Sequence, residues 1–175
     1  ISPADAELDV MYQIGALKAF CQAAGVPLHH VKPHGALYNM AAKDPALAQA
    51  ICRAVQAAAP EAMLLALSGS EMLKAAQAMG LCVCSEVFAD RAYRPDGTLV
   101  PRGLPGAMIE NEEDAIARVV QMAKQGTVRA ADGSTVTLQA DSVCVHGDGR
   151  KALCFVKRLS EALPAAGIEI KAHNA

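Results

Sequence analysis

Three short stretches gather side chains able to move protons or hold charge: Lys32-Pro33-His34, Glu86 with Asp90-Arg91, and His146-Gly147-Asp148. Carboxylates and imidazoles serve as general acids and bases, while lysine and arginine steady negative charge as it develops. Each stretch stands at the end of a predicted strand, which sets it apart from scattered surface charge. Lys32 comes directly after Val31, read as buried, where a stray ammonium would be costly. His34 also reads as a histidine that caps a turn. Glu86 suits a structural ion pair with Arg91 or Lys32 as well as it suits a general base. Asp148 doubles as the N-cap of a following helix, and the flanking Gly147 and Gly149 would leave N–H groups there to bind an anion. Tyr93, Arg94 and Arg102 read as loop packing or the rim of a substrate site. His29 and His30 are adjacent on a strand, so they are expected to face opposite ways and form no common site.

These stretches need a scaffold, and the chain supplies an alternating one. Ser2 and Pro3 open a helix over 4–24, with Leu8, Met11, Ile14, Leu17 and Cys21 at helical spacing. A short strand over 28–32 ends at Pro33, a helical turn follows over 36–40, and Asp44-Pro45 starts a helix to about 58. The apolar run 63–67 is the kind of strand buried on both faces of a parallel sheet. Ser68 or Ser70 caps the next helix, which Gly80 ends, and a strand covers 81–88. The long loop after it holds three prolines and three glycines, yet also a tyrosine and three arginines. Loops of that length inside a compact domain are functional or disordered, and apolar Leu99, Val100 and Leu104 favour packing. A helix opens at Asn111 or Glu112 and stops at Gly126. Asp132-Gly133 then turns a hairpin. A strand over 142–145, a helix over 151–163 and a last strand over 168–170 complete the order.

A βαβα order with short loops predicts one α/β domain over 1–175, a parallel sheet covered by helices. Ligands of such folds bind at the carboxyl ends of the strands, so the three stretches are expected to converge on one mouth. Loop lengths suit a barrel-like sheet better than a dinucleotide fold, and neither G-x-G-x-x-G nor G-x-x-x-x-G-K-[ST] occurs. A net charge of −2 gives no field for nucleic acid or a membrane surface. No apolar run is long enough to span a bilayer, and no signal-peptide pattern opens the chain. The six cysteines form no C-x-x-C pair and read as buried thiols in a reducing cytosol. Ile1 stands where a methionine would start a chain, pointing to a processed or missing N-terminus.

Four separated motifs carry a family resemblance: Val31-Lys-Pro-His-Gly-Ala-Leu-Tyr-Asn39, Ser85-Glu-Val-Phe-Ala-Asp-Arg-Ala-Tyr93, Asp96-Gly-Thr-Leu-Val100 and Val143-Cys-Val-His-Gly-Asp148. In this order they closely resemble the LamB/YcsF family, whose members act as the A component of bacterial 5-oxoprolinase. The resemblance implies a (β/α) barrel-like fold of the glycoside hydrolase/deacetylase type. It also implies ATP-dependent opening of 5-oxo-L-proline to L-glutamate, together with partner subunits B and C, in the cytoplasm. Family members begin with a further segment of strands and His-containing motifs that nothing here matches. The chain is therefore expected to be the C-terminal two-thirds of an incomplete barrel, with a sheet edge that favours self-association. On this reading Lys32, Arg91 and Arg102 supply positive charge, Glu86 or Asp90 acts as base, and His34 or His146 shuttles protons. Tyr93 and Asp148 join Arg102 and His146 around the substrate. The rival readings are a metal-dependent amide or carbohydrate deacetylase, which requires a divalent ion on His and Asp, and a non-catalytic scaffold.

Overall fold

The structure, a computed structural model, describes residues 1–147 and 152–172. The chain is described as two compact units, Ile1–Ser85 and Glu86–Asn174. In the first, α1 (Pro3–Ala23), β1 (His30–Val31), α2 (Gly35–Ala41), α3 (Pro45–Ala58), β2 (Met63–Leu67) and α4 (Glu71–Ala78) lead into β3 (Val83–Phe88). Each long helix here starts where its cap predicts. Ser2 accepts from the Asp5 N–H, Asp44 from those of Ala46 and Leu47, and Ser70 from that of Leu73. β1 pairs with β2 in parallel, His30 beside Met63, and the Leu64 N–H donates to Cys82 at the approach to β3.

Helix α3 is the centre of this unit. Ala48, Ala50 and Ala54 are fully buried, and such small side chains let α1 and α4 pack closely on it. On α1 the buried residues are Ala6, Val10 and Ile14; of the residues expected at helical spacing Ile14 is buried, Met11 and Cys21 are half-buried, and Leu8 and Leu17 are exposed. Apolar residues surround this helix, Tyr12 and Phe20 among the exposed ones, so spacing alone could not select the face that meets α3. The cysteines also differ from expectation. Cys52 and Cys84 are buried, Cys21 and Cys144 half-buried, and Cys82 and Cys154 exposed, all as free thiols. Burial pushes the Cys52 thiol up to about 11.

In the second unit the end of β3 pairs in parallel with β6 (Ser142–Cys144), placing Glu86 beside Ser142, Val87 beside Val143 and Phe88 beside Cys144. Between these strands come α5 (Glu112–Gln125) and the antiparallel pair β4 (Thr127–Arg129) and β5 (Thr135–Thr137); α6 (Ala152–Ala165) follows them. The long loop after β3 is ordered by two antiparallel bridges, Arg91 to Met108 and Tyr93 to Leu99, around a small core of Ala92, Val100 and Ala107. Residues 168–170, expected as a strand, are coil with Ile170 exposed; a strand needs a neighbour to pair with, and none pairs here among the described residues. No described helix is long and apolar enough to cross a membrane.

Asn111 caps α5 through the N–H groups of Glu113 and Asp114, and Gly126 closes it in the left-handed conformation at φ 63°. A Cβ at Gly126 would also lie 3.0 Å from the carbonyl oxygen of Leu138. Gly126→Ala is expected to lower stability by about 1–2 kcal/mol from the left-handed backbone alone. The check is the urea midpoint, which should fall with an unchanged slope; an unmoved midpoint would show that the turn relaxes freely.

Candidate active site

Strand register brings two of the predicted residues together. Phe88 and Cys144 are neighbours across the parallel pair. Side chains on one face of a strand recur every second residue, so Asp90 and His146 emerge level and on the same side just past the strand ends. The Ala89 N–H donates to the Cys144 carbonyl at 3.2 Å, which fixes that exit. His146 Nδ1 then lies 2.7 Å from Asp90 Oδ2 and 3.0 Å from Oδ1. Both side chains are about four-fifths covered, at 18% and 19% exposed. The Phe88 ring stacks on the imidazole, with centroids 5.7 Å apart and planes at 29°. A carboxylate accepts and does not donate, so Nδ1 carries the hydrogen and the neutral ring presents its lone pair at Nε2. Among the described residues the ring makes no other hydrogen bond. An imidazole held this way by an acid can take a proton at Nε2 and return it.

The surrounding residues differ from their predicted places. Glu86 lies inside β3 rather than at its end, beside Ser142 and 2% exposed. Of the two readings of Tyr93, loop packing or a substrate rim, its burial fits loop packing. The residue is 1% exposed, and its hydroxyl accepts the Phe88 N–H at 2.8 Å. Burial holds that phenol above its usual range, so it stays protonated. Arg91 is buried, and its Nη2 donates to the Val100 carbonyl at 2.5 Å. Burial, and then the nearby charge of Arg102, push the Arg91 pKa down. Arg102 itself is exposed on the loop. Asp148 lies outside the described residues.

Lys32 and His34 belong to the first unit. Lys32 follows β1, half-buried, with its ammonium 5.6 Å from the centre of the Tyr38 ring. Val31 before it is half-buried rather than buried. His34 is exposed at the N-cap position of α2, without a side-chain capping bond. The neighbouring His29 and His30 do not face apart: their Nδ1 atoms approach to 3.2 Å. Strand alternation fails there because β1 starts only at His30.

Arg118 is a positioning residue that the sequence does not reveal. From α5 its Nη2 donates to the Arg91 carbonyl at 3.1 Å and its Nη1 to the Arg129 carbonyl at 3.3 Å. These bonds tie the loop after Asp90 to β4, and burial pushes the guanidinium's pKa down. Nothing in the helix pattern separates it from an ordinary solvent-facing arginine. Among the described residues no group of three or more His, Cys, Asp or Glu is gathered as metal ligands would be.

The sequence pattern of the LamB/YcsF family matches residues 1–175. The chain is 55% identical over 170 residues to the 5-oxoprolinase A component of Clostridium beijerinckii, covering 97% of this chain and 67% of that protein. To the corresponding 5-oxoprolinase component of Bacillus subtilis it is 50% identical over 172 residues, covering 98% and 67%. Among solved structures, the lactam utilization protein from Thermus thermophilus aligns with a TM-score of 0.88 at 44% identity, covering 99% of this chain and 69% of that one.

Proposed function

Because the chain belongs to the LamB/YcsF family, we propose that it acts as the A component of a 5-oxoprolinase, a cyclic amide hydrolase. The assembled enzyme opens 5-oxo-L-proline to L-glutamate with ATP, alongside partner subunits B and C in the cytoplasm. The observation that carries the chemistry is the Asp90–His146 pair at register-matched strand ends. A lactam amide is resonance-stabilised and resists water. ATP supplies activation at the amide oxygen, and the chain's own residues manage the water. His146 Nε2 takes a proton from water as its oxygen bonds to the ring carbonyl carbon, while Asp90 steadies the imidazolium that results. The same proton passes to the ring nitrogen as the carbon–nitrogen bond breaks. The ring then opens to an amine and a carboxyl group, which becomes the carboxylate as water's second proton passes to the amine, while the phosphoryl group that ATP placed on the amide oxygen leaves as phosphate beside ADP.

Lys32 and His34 after β1, and buried Glu86, are proposed participants of the same reaction; for Lys32 the part is to balance negative charge. The test is 5-oxo-L-proline turnover by the full-length protein assembled with its partners, carrying Lys32→Ala or Glu86→Gln. Losses of about 100-fold or more are expected if these groups act on charge in the transition state. Near-normal rates in both would remove them from the chemistry while leaving the Asp90–His146 pair in place.

A further inference from the structure

Arg91 is a buried cation with few partners among the described residues, and Asp90 is the acid whose charge acts on it. The residue is 4% exposed, and among the described residues its guanidinium makes a single hydrogen bond, from Nη2 to the Val100 carbonyl. Its Nε is buried with no partner. The acid beside it in sequence, Asp90, has both oxygens on His146 Nδ1. The other charge felt most strongly at Arg91 is that of Arg102, which is also positive. Buried ions in folded proteins are paired, because an unpaired one loses its hydration without recompense. Among the described residues this guanidinium keeps an unfilled Nε donor and has a second arginine nearby.

We infer that Arg91, assisted by Arg102, receives an oxyanion of the reactants, a carboxylate or a phosphate group. The inference rests on the 5-oxoprolinase reading, and it adds how the site would tell an acidic lactam from a neutral one. A planar guanidinium presents its N–H groups in a fixed fork that matches the paired oxygens of a carboxylate, and in Arg91 the Nε is the buried donor left without a partner among the described residues. The charge of Asp90 acts on Arg91, so an anion held there lies near the proton-transfer pair. 5-Oxo-L-proline has this layout, with its carboxylate on the carbon next to the ring nitrogen. The unsubstituted ring, 2-pyrrolidinone, offers nothing for Arg91 to hold.

The experiment is calorimetric titration of the full-length protein, assembled with its partners, by 5-oxo-L-proline, 2-pyrrolidinone and ATP. Wild type is compared with Arg91→Lys and Arg102→Gln; the latter is on an exposed loop and tests the idea even if the former misfolds. Affinity for 5-oxo-L-proline is expected to fall about tenfold or more in Arg91→Lys, which keeps the positive charge but loses a charge-assisted hydrogen bond of the guanidinium fork. The fall in Arg102→Gln should be smaller, about threefold to fivefold, as for an exposed charge. Binding of 2-pyrrolidinone should not change. A loss confined to ATP would instead identify the oxyanion as phosphate. Equal losses for both lactams, or no loss for any titrant, would overturn the assignment. Binding does not require proton transfer, so His146→Asn separates the two ideas: an active His146→Asn variant would end the base role and leave the lactam discrimination intact.

Discussion

His146→Asn is expected to lower kcat for 5-oxo-L-proline by about 10²–10⁴-fold, the range that a positioned acid–base group contributes. Asparagine retains a similar outline but has no ring nitrogen to accept a proton. Asp90→Asn should be comparably damaging for a different reason. Its amide can turn an N–H towards His146 Nδ1, which is 2.7 Å from the present carboxylate oxygen. The hydrogen then moves to Nε2, and the lone pair points away from the reacting water. In both variants KM should move much less than kcat, since proton transfer belongs to the transition state. The double variant should be no worse than the more damaged single one, because the two act as a unit. If Asp90→Asn and His146→Asn multiply as independent losses, the pairing is not the catalytic device.

Tyr93→Ala should produce the largest loss of stability among single substitutions near the site. Tyr93 is among the largest fully buried side chains, and removing such an aromatic costs about 3–5 kcal/mol. Tyr93→Phe isolates the hydroxyl: it leaves the Phe88 N–H buried without its acceptor, at a cost of about 1–3 kcal/mol. Urea unfolding of the two variants checks the order, and an unaffected Tyr93→Phe would mean that Phe88 finds another acceptor. Alkaline titration adds a second reading. The buried phenol ionises above its ordinary value of 10.0, so the unfolded chain loses this proton first as pH rises. Native stability should therefore fall above about pH 10 in the wild type and fall less steeply in Tyr93→Phe.

Local signals in the sequence are enough to place most elements. Asp44-Pro45, Ser70, Asn111 and Gly126 mark helix ends through short-range bonds, and the structure has each where expected. The apolar run of β2 is likewise complete in itself. What depended on distant neighbours was not legible. Asp90 and His146 are 56 residues apart, and only the register of β3 against β6 makes them partners, although both stand out as strand-end groups. For Tyr93 the sequence leaves loop packing and a substrate rim open, and only the two antiparallel bridges that fold its loop inward decide for packing. On α1, apolar residues on every side leave the choice of face to α3.

The bonds radiating from the loop after β3 have a dynamic consequence. The Tyr93 carbonyl accepts the Ala131 N–H, while Arg118 clasps the carbonyls of Arg91 and Arg129 together. Residues 91–93 therefore cannot swing outward without also unlatching the β4–β5 ribbon. The segment that carries Asp90 breathes only as part of a larger cooperative block, and its amide protons should trade with solvent in concert with those of the ribbon.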